Sequence, residues 1–241
     1  MRKVLLTAAV ALTAGATMAQ MNIGAKAGLN YNIWGVAEGD QFPSGAEKPD
    51  SESGIGFHLG GYAEIGLSDN LAFRPELLYS ARGVKSDVDE TETFADPLLG
   101  TYTITTKGED VIKAGYLEVP LLLAYKPSDA FGIHFGPVLG FRMGWNYSSE
   151  GTASTNLNGQ VSEQTYSIDS SDDTGVNGLD LGLAAGFAYE LESGLNFGLR
   201  YARSLTTTND DSQNGALGST DFVKVNQNIF QLSLGYTFMK N

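Results

Sequence analysis

Histidine is the residue type best suited to acid–base chemistry, because its side chain changes charge near neutral pH; the sequence contains no cysteine. His58 and His134 are the two histidines, and both fall on the polar side of an alternating apolar and polar pattern. A Ser/His or Asp/His pair there would be typical of a hydrolytic site. Neither histidine has an obvious serine or carboxylate dyad beside it at a lipid- or solvent-facing rim, so we expect no catalytic residues. The lack of cysteine also excludes disulfides and thiolate metal sites.

Acidic runs are the second candidate for chemistry, here calcium binding. Residues 87–92 read DVDETE and residues 169–173 read DSSDD. Calcium prefers oxygen ligands, but neither run has the spacing of a defined calcium loop. We therefore favour solvated loop tips, with no metal and no cofactor. The acidic runs would still repel anionic solutes or engage divalent ions at the lipopolysaccharide surface.

Ten charged residues lie on the polar side of the alternating segments. Five are cations and five are anions: Lys26, Arg74, Arg82, Arg142 and Arg200 against Glu64, Glu76, Glu118, Asp180 and Glu190. Such a balance makes buried charge tolerable in a low-dielectric interior. We expect these residues to form a structural charge network inside a barrel. If the turn at 68–70 sets the register, Glu64 lies opposite Arg74.

The elements that carry these residues are long segments with a period of two. In residues 131–147, every odd position from Phe131 to Tyr147 is apolar, Trp145 included, whereas the even positions apart from Val138 carry glycine and polar residues. An ordinary strand has about five or six residues, but a strand that crosses a bilayer needs about nine to eleven. Seven more segments alternate in this way: 21–34, 55–67, 71–83, 116–125, 176–191, 195–205 and 228–238.

Short turns and long connections alternate between these segments. The turns are 68–70, 126–129 and 192–194, and the long connections are 35–54, 84–113, 148–175 and 206–224. Bacterial outer-membrane barrels have short periplasmic turns and long extracellular loops. We therefore predict an all-β fold: an eight-stranded antiparallel up-and-down transmembrane β-barrel, integral to the bacterial outer membrane, with four long extracellular loops.

Alternation alone does not decide which face points outward, since a soluble lipocalin-like barrel has its apolar face inside. Three features favour lipid on the outside: the glycine-rich polar face, the balanced charges, and aromatic residues near both ends of the apolar faces. The predicted girdles are Tyr31, Phe57, Tyr79, Trp145 and Tyr147 above and Phe73, Tyr125, Phe131, Tyr189 and Phe197 below. Pro75, Pro120 and Pro137 lie within strands, so we expect bulges or departures in register there.

The N-terminus and the charge distribution indicate where in the cell the protein is located. Residues 1–19 read as a secretory signal peptide, which leaves 20–241 as a single barrel domain. The formal net charge is −13, and the four long connections hold 20 acidic and 5 basic residues. An acidic rim makes nucleic acid an unfavourable partner. We expect a monomer that contacts outer-membrane lipid or lipopolysaccharide and an envelope or extracellular protein.

Several motifs carry a family resemblance. Residues 74–83 read RPELLYSARG, residues 116–123 read YLEVPLLL, and residues 136–140 read GPVLG. These motifs resemble those of the PorT-like outer-membrane β-barrel family, common in Bacteroidetes, apart from Arg82 in place of a usual Lys and Ala124 where a Lys is common. The resemblance extends over nearly all of 20–241. It implies the barrel fold and, for one branch, support of protein secretion.

The strand number suggests what the lumen does. The interior of an eight-stranded barrel is just wide enough for side chains to fill. We therefore expect a plugged lumen and a structural or interaction role at the cell envelope, with support of secretion as one form of it. The alternative is a narrow channel or transporter for small solutes.

Overall fold

The computed structural model describes residues 21–36, 52–97, 100–174, 176–208 and 225–239. These residues form nine strands: β1 (Met21–Val36), β2 (Glu52–Ser68), β3 (Leu71–Asp96), β4 (Gly100–Tyr125), β5 (Phe131–Leu157), β6 (Gln160–Ser170), β7 (Leu179–Glu190), β8 (Leu195–Ser204) and β9 (Val225–Met239). Across these ranges, no helix has the length and apolar character that a membrane span requires. The predicted signal peptide, 1–19, lies outside the described residues, as do 37–51 and 209–224 of the predicted connections.

Eight of the strands close into a ring in the order β1-β2-β3-β4-β5-β7-β8-β9, and β9 pairs with β1. All neighbours are antiparallel, which confirms the predicted eight-stranded barrel. Alternate residues point to opposite sides. On β9, for example, Leu232 and Leu234 are exposed on the outer surface, whereas Gln231 is buried in the lumen. The barrel therefore has an apolar outer surface and a polar interior.

Two of the predicted long connections are strand over most of their length. The hairpin of β3 and β4 continues to the pair Asp96 and Gly100, and β5 continues to Leu157 before β6 returns beside it. We call residues 86–96, 100–111, 148–157 and 160–170 the extension. Its side chains are largely polar, exposed on the outer strands and half-buried on β4 and β5, so the apolar alternation that revealed the other strands is missing.

A β-bulge changes the orientation of the upper part of β5. Gly115 pairs with Gly144, but the next residue, Tyr116, pairs with Arg142, so Met143 is skipped. Beyond the bulge Trp145 pairs with buried Ala114. The prediction that Trp145 and Tyr147 belong to the outward aromatic girdle is therefore wrong, because one extra residue reverses the side of every residue that follows.

The three strand prolines interrupt pairing without shifting the register. The β2–β3 ladder passes from Tyr62–Glu76 to Ile65–Phe73 and omits the two pairs that contain Arg74 and Pro75. Similar two-residue gaps follow Pro75 in the β3–β4 ladder and Pro120 in the β4–β5 ladder, and Pro137 is paired in a continuous β5–β7 register. The expectation of bulges or register departures at the prolines was thus wrong: a missing N–H removes local pairs, and the flanking residues keep the register.

Candidate functional site: the charged lumen

Glycines on the inward face make space for the large side chains of the lumen. A Cβ at Gly28 of β1 would meet His58 Cε1 at 2.7 Å and would also collide with the backbone carbonyl of Leu232. A Cβ at Gly24 would collide with the phenol of Tyr62. These positions therefore require glycine because of close approach. The glycine-rich face found in the sequence is the wall of a crowded interior.

Glu76 is the centre of the lower charge cluster, the one nearer the periplasmic turns. Its carboxylate accepts from Lys26 Nζ at 2.7 Å, Arg74 Nε at 3.1 Å, and Arg200 Nη1 and Nη2 at 2.9 and 2.7 Å. Glu76 and its three cations are all buried. These cations come from β1, β3 and β8, so a single carboxylate joins three parts of the wall.

Glu64 extends this cluster toward the periplasmic turns. Arg74 Nη1 lies 3.2 Å from Glu64 Oε2, the pair that the turn at 68–70 predicts, and Lys126 Nζ lies 2.8 Å from Glu64 Oε1. Sequence reasoning missed Lys126, because it lies in a turn where apolar alternation has ended. Its position directly after the last residue of β4 was the available signal.

Arg82 is the centre of the upper cluster. Its guanidinium lies 2.9 Å from Glu118 Oε1 and 2.6 Å from Asp180 Oδ2, and Nη1 also donates to Gln227 Oε1 at 2.8 Å. The Tyr116 ring packs against the same guanidinium, 4.1 Å from its Cζ. This arrangement satisfies a buried cation by charge-assisted hydrogen bonds and a ring face.

The remaining two predicted network residues lie near the ends of the barrel. Arg142 Nη1 binds Asp173 Oδ2 at 2.7 Å, and its other nitrogens donate to the carbonyls of Val176 and Asn177. Arg142 thus holds the connection before β7 against the barrel mouth. Glu190 accepts a hydrogen bond from Thr237 Oγ1 at 2.8 Å near the periplasmic end.

The histidines lie inside the lumen. His58 Nε2 is 2.8 Å from Ser233 Oγ, and His58 Nδ1 is 2.8 Å from Asn30 Oδ1. Sequence reasoning missed this partnership, because Ser233 lies on the last strand. The order Ser, His, Asn is that of a nucleophile, a base and an orienting residue, but His58 is only 1% exposed. Since the base is buried in the lumen, the arrangement fits polar packing between β1, β2 and β9.

His134 borders a small cavity of about 20 Å³ that Lys26, Arg74 and Arg200 also line. A cavity of this size holds about one water molecule. It is far smaller than the hundreds of cubic ångströms of an ordinary ligand site, about 300–1,000 Å³. The cavity is therefore a pocket for a water molecule among the cations of the lower cluster.

The acidic runs of the extension have local partners. Asp89 pairs with Lys107 Nζ at 3.0 Å, and Glu109 pairs with Lys85 and raises the pKa of that lysine by accepting its hydrogen bond. The hydroxyl and backbone amide of Thr174 donate to Asp172 and lower the pKa of its carboxyl. Among the described residues, no three His, Asp or Glu side chains are grouped as metal ligands would be.

Comparison with known proteins identifies one matching family. Residues 16–210 match the sequence profile of a family described as outer membrane protein beta-barrel domain. No curated protein matches the sequence significantly. The match to the family extends over more than half of the chain.

Among solved structures, the chain is similar to Ail, the attachment invasion locus protein of Yersinia pestis, with 12% identity over 91% of this chain and 99% of that one and a TM-score of 0.39. It is also similar to Neisserial surface protein A, with 14% identity over 90% and 97% of the two chains and a TM-score of 0.35. An outer membrane channel from Pseudomonas putida F1 has 10% identity over 91% and 96%, with a TM-score of 0.33.

Proposed function

Because the chain belongs to the family of outer membrane protein beta-barrel domains and is an integral protein of the bacterial outer membrane, we propose that it is a sealed barrel with a structural or interaction role at the cell envelope. In this proposal the lumen carries no solute and performs no catalysis. The extension contacts an envelope or extracellular protein. The barrel works as a monomer, without cofactor or nucleic acid.

The observation that carries the sealed lumen is the link between Arg200 and Glu76. Strands β8 and β3 are four positions apart in either direction around the eight-stranded ring, so they are opposite walls. Both guanidinium nitrogens Nη1 and Nη2 reach the carboxylate. A bidentate Arg–carboxylate pair combines strength with fixed geometry. It therefore obstructs the lumen across its full width.

Two further sets of side-chain contacts cross the lumen, one above Glu76 and one below, and support the seal. Above, Arg82 of β3 binds Asp180 of β7. Below, Asn196 of β8 donates to Tyr62 of β2 at 2.8 Å, and Tyr62 contacts Thr237 of β9 at 2.9 Å. A solute would have to break all three levels. Breaking buried ion pairs by separating the partners is costly, which disfavours the alternative of a narrow channel.

The extension supports the interaction role. Strand β6 pairs with β5 and, within the described residues, has no strand on its other side. The part of β3 above Lys85 likewise pairs only with β4 among those residues. Unpaired strand edges are templates for binding other chains. The resemblance of 74–83 and 116–123 to PorT-like proteins is our ground for including support of protein secretion among these roles.

Trimming the extension tests the proposal. One variant joins Ser86 directly to Asp110, which are paired on β3 and β4, and a second joins Ser148 to Asp169, which are paired on β5 and β6. We expect both to keep the heat-modifiable gel shift of a folded barrel. We also expect wild type to give a discrete crosslinked partner in intact envelopes, which at least one trimmed variant loses. If both trimmed variants keep the same crosslinks, the extension is not the contact surface.

A further inference from the structure

The lipid-facing surface of the barrel is interrupted by a row of small residues. Ala81 on β3 pairs with Gly115 on β4, and Gly115 pairs with Gly144 on β5. Gly83 lies two residues beyond Ala81 on the same face. The row exists because of the bulge at Met143, which turns Gly144 outward in place of a large apolar side chain. The row therefore lies lower than the surrounding apolar surface across three neighbouring strands.

Large apolar side chains surround this row and make it a groove of about 580 Å³. Phe57 and Tyr79 form one wall, with ring centroids 6.0 Å apart. Met143, which is 67% exposed, lies on the other side. The Tyr79 hydroxyl lies over Gly115, 2.8 Å from where a Cβ would be. The groove has the volume of an ordinary small-molecule site, which is about 300–1,000 Å³.

The groove lies at the outer interface of the membrane. Gly115 is ten residues above Tyr125, the periplasmic end of β4. At about 3.4 Å per residue and a tilt of about 40°, this corresponds to a height of about 26 Å. The apolar band of such barrels is about 25 Å tall. The small-residue row is therefore where acyl chains of the outer leaflet meet their headgroups.

A cation that has no ion pair among the described residues lies at the upper edge of the groove. Lys113 faces outward, two residues above Gly115 on the same face of β4. Its strand partners are Gly83 on β3 and Asn146 on β5. Within the residues that the structure describes, eight of the ten Lys and Arg side chains form ion pairs, and the two that do not are Lys113 and Arg203. Lys113 is therefore available to an anionic group from outside the chain.

We propose that this groove binds lipid A, the phosphorylated glycolipid of the outer leaflet. One acyl chain lies on the floor of Ala81, Gly83 and Gly144, beside the Tyr79 side chain that covers Gly115, and one phosphate binds Lys113 Nζ. The apolar floor at bilayer height fits an acyl chain, and the cation at the headgroup level fits a phosphate. Charge at one end and an apolar floor below it favour an anionic amphiphile over a second copy of this acidic chain.

Native mass spectrometry of the folded full-length protein in detergent, with added lipid A as the probe, tests this site. Gly144→Leu fills the groove, and a side chain at this position meets no protein atom within 4 Å of its Cβ. Lys113→Gln removes the cation. We expect wild type to retain one lipid A and each variant to bind it about tenfold more weakly, the size of one charge-assisted hydrogen bond. Removing the phosphates of lipid A should weaken its binding to the wild-type protein. The same removal should leave binding to the Lys113→Gln variant unchanged.

Two matched controls distinguish this site from ordinary lipid contact. Ala27→Leu fills another outward depression, of about 420 Å³, which Leu59 and Leu234 also line. Arg203→Gln removes the other cation without an ion pair among the described residues. Both should bind lipid A within about twofold of wild type, as is usual for changes away from a binding contact. Retained binding in Gly144→Leu, equal losses in the controls, equal binding of phosphatidylglycerol, or a dimer in place of the lipid adduct would overturn the proposal.

Discussion

Arg200 and Glu76 form a two-point ion pair between opposite walls of the barrel, with Nη1–Oε2 and Nη2–Oε1 separations of 2.9 and 2.7 Å. Lys26 and Arg74 bind the same carboxylate. One anion therefore binds cations from three strands. The two partners are therefore unequal. Loss of the carboxylate leaves Lys26 and Arg200 without an ion pair among the described residues and leaves Arg74 with Glu64 alone. Loss of Arg200 leaves a carboxylate that still has two partners.

Removing Glu76 should destabilise the barrel more than removing one of its cationic partners. We expect Glu76→Ala to lower the free energy of unfolding by about 3–5 kcal/mol, since it leaves buried cations uncompensated. Arg200→Ala should cost less, because Lys26 and Arg74 remain on Glu76. Urea unfolding of the protein folded in liposomes measures both. As a control, Lys107→Ala breaks an exposed pair and should cost at most about 1 kcal/mol. Equal losses of unfolding free energy in all three variants would contradict the central role of Glu76.

The bulge at Met143 predicts how the tryptophans respond to lipid. The chain has two tryptophans, and Trp34 stacks on Trp145 inside the barrel with ring centroids 5.9 Å apart. Phospholipids brominated on their acyl chains should therefore leave most of the fluorescence unquenched. As a control, Phe135→Trp in a background of Trp34→Phe and Trp145→Phe places an indole on the exposed outer face and should be strongly quenched. Strong quenching of the wild-type tryptophan fluorescence would indicate that Trp145 faces the lipid and would contradict the bulge.

The sequence predicted those parts of the fold in which one face is apolar and the other is not. Lys26, Glu64 and Arg74 could be assigned to the lumen because each lies between outward apolar residues, and a three-residue turn was enough to pair Glu64 with Arg74. The extension carries no such contrast, since polar residues such as Thr105 and Ser154 face each other across β4 and β5. Period-two reasoning therefore assigned its strands to loops.

Two other features depend on contacts that local sequence does not encode. The bulge is one skipped residue, and nothing in the sequence from Gly140 to Tyr147 marks Met143 as that residue. The partnership of His58 with Ser233 joins the second strand to the last one, which only closure of the ring brings together. The centres of the strands were thus predictable, whereas the exact positions of irregularities and contacts across the lumen were not.

Asp172 provides a test of the connection that Arg142 holds. Thr174 lowers the pKa of this carboxyl through two hydrogen bonds, so we expect Thr174→Val, which removes the hydroxyl, to raise that pKa toward its ordinary value. Because the folded pKa is the lower one, the local stabilisation is complete above the unfolded pKa and is lost as the pH falls through the folded pKa. Carboxyl NMR titration measures the shift. Thr165→Val, on β6, is the control, and an equal shift there would contradict this assignment.

Ser233 should be inert despite its position beside His58. A fluorophosphonate probe requires an accessible activated serine, and His58, the residue that would activate it, is buried in the lumen. We expect no labelling of the folded protein at Ser233. Labelling that disappears in Ser233→Ala but persists in Ser80→Ala, a buried serine that hydrogen-bonds Asn30 instead, would reveal a reactive site and contradict the packing role.

Conductance across a planar lipid bilayer tests the sealed lumen most directly. The account predicts that the folded wild-type protein gives no stable unitary current steps, because Arg200 and Glu76 close the lumen from wall to wall. The double variant Glu76→Ala/Arg200→Ala, once shown to be folded by its heat-modifiable gel shift, should conduct more than wild type. Stable, reproducible conductance steps from the wild-type protein would contradict the account.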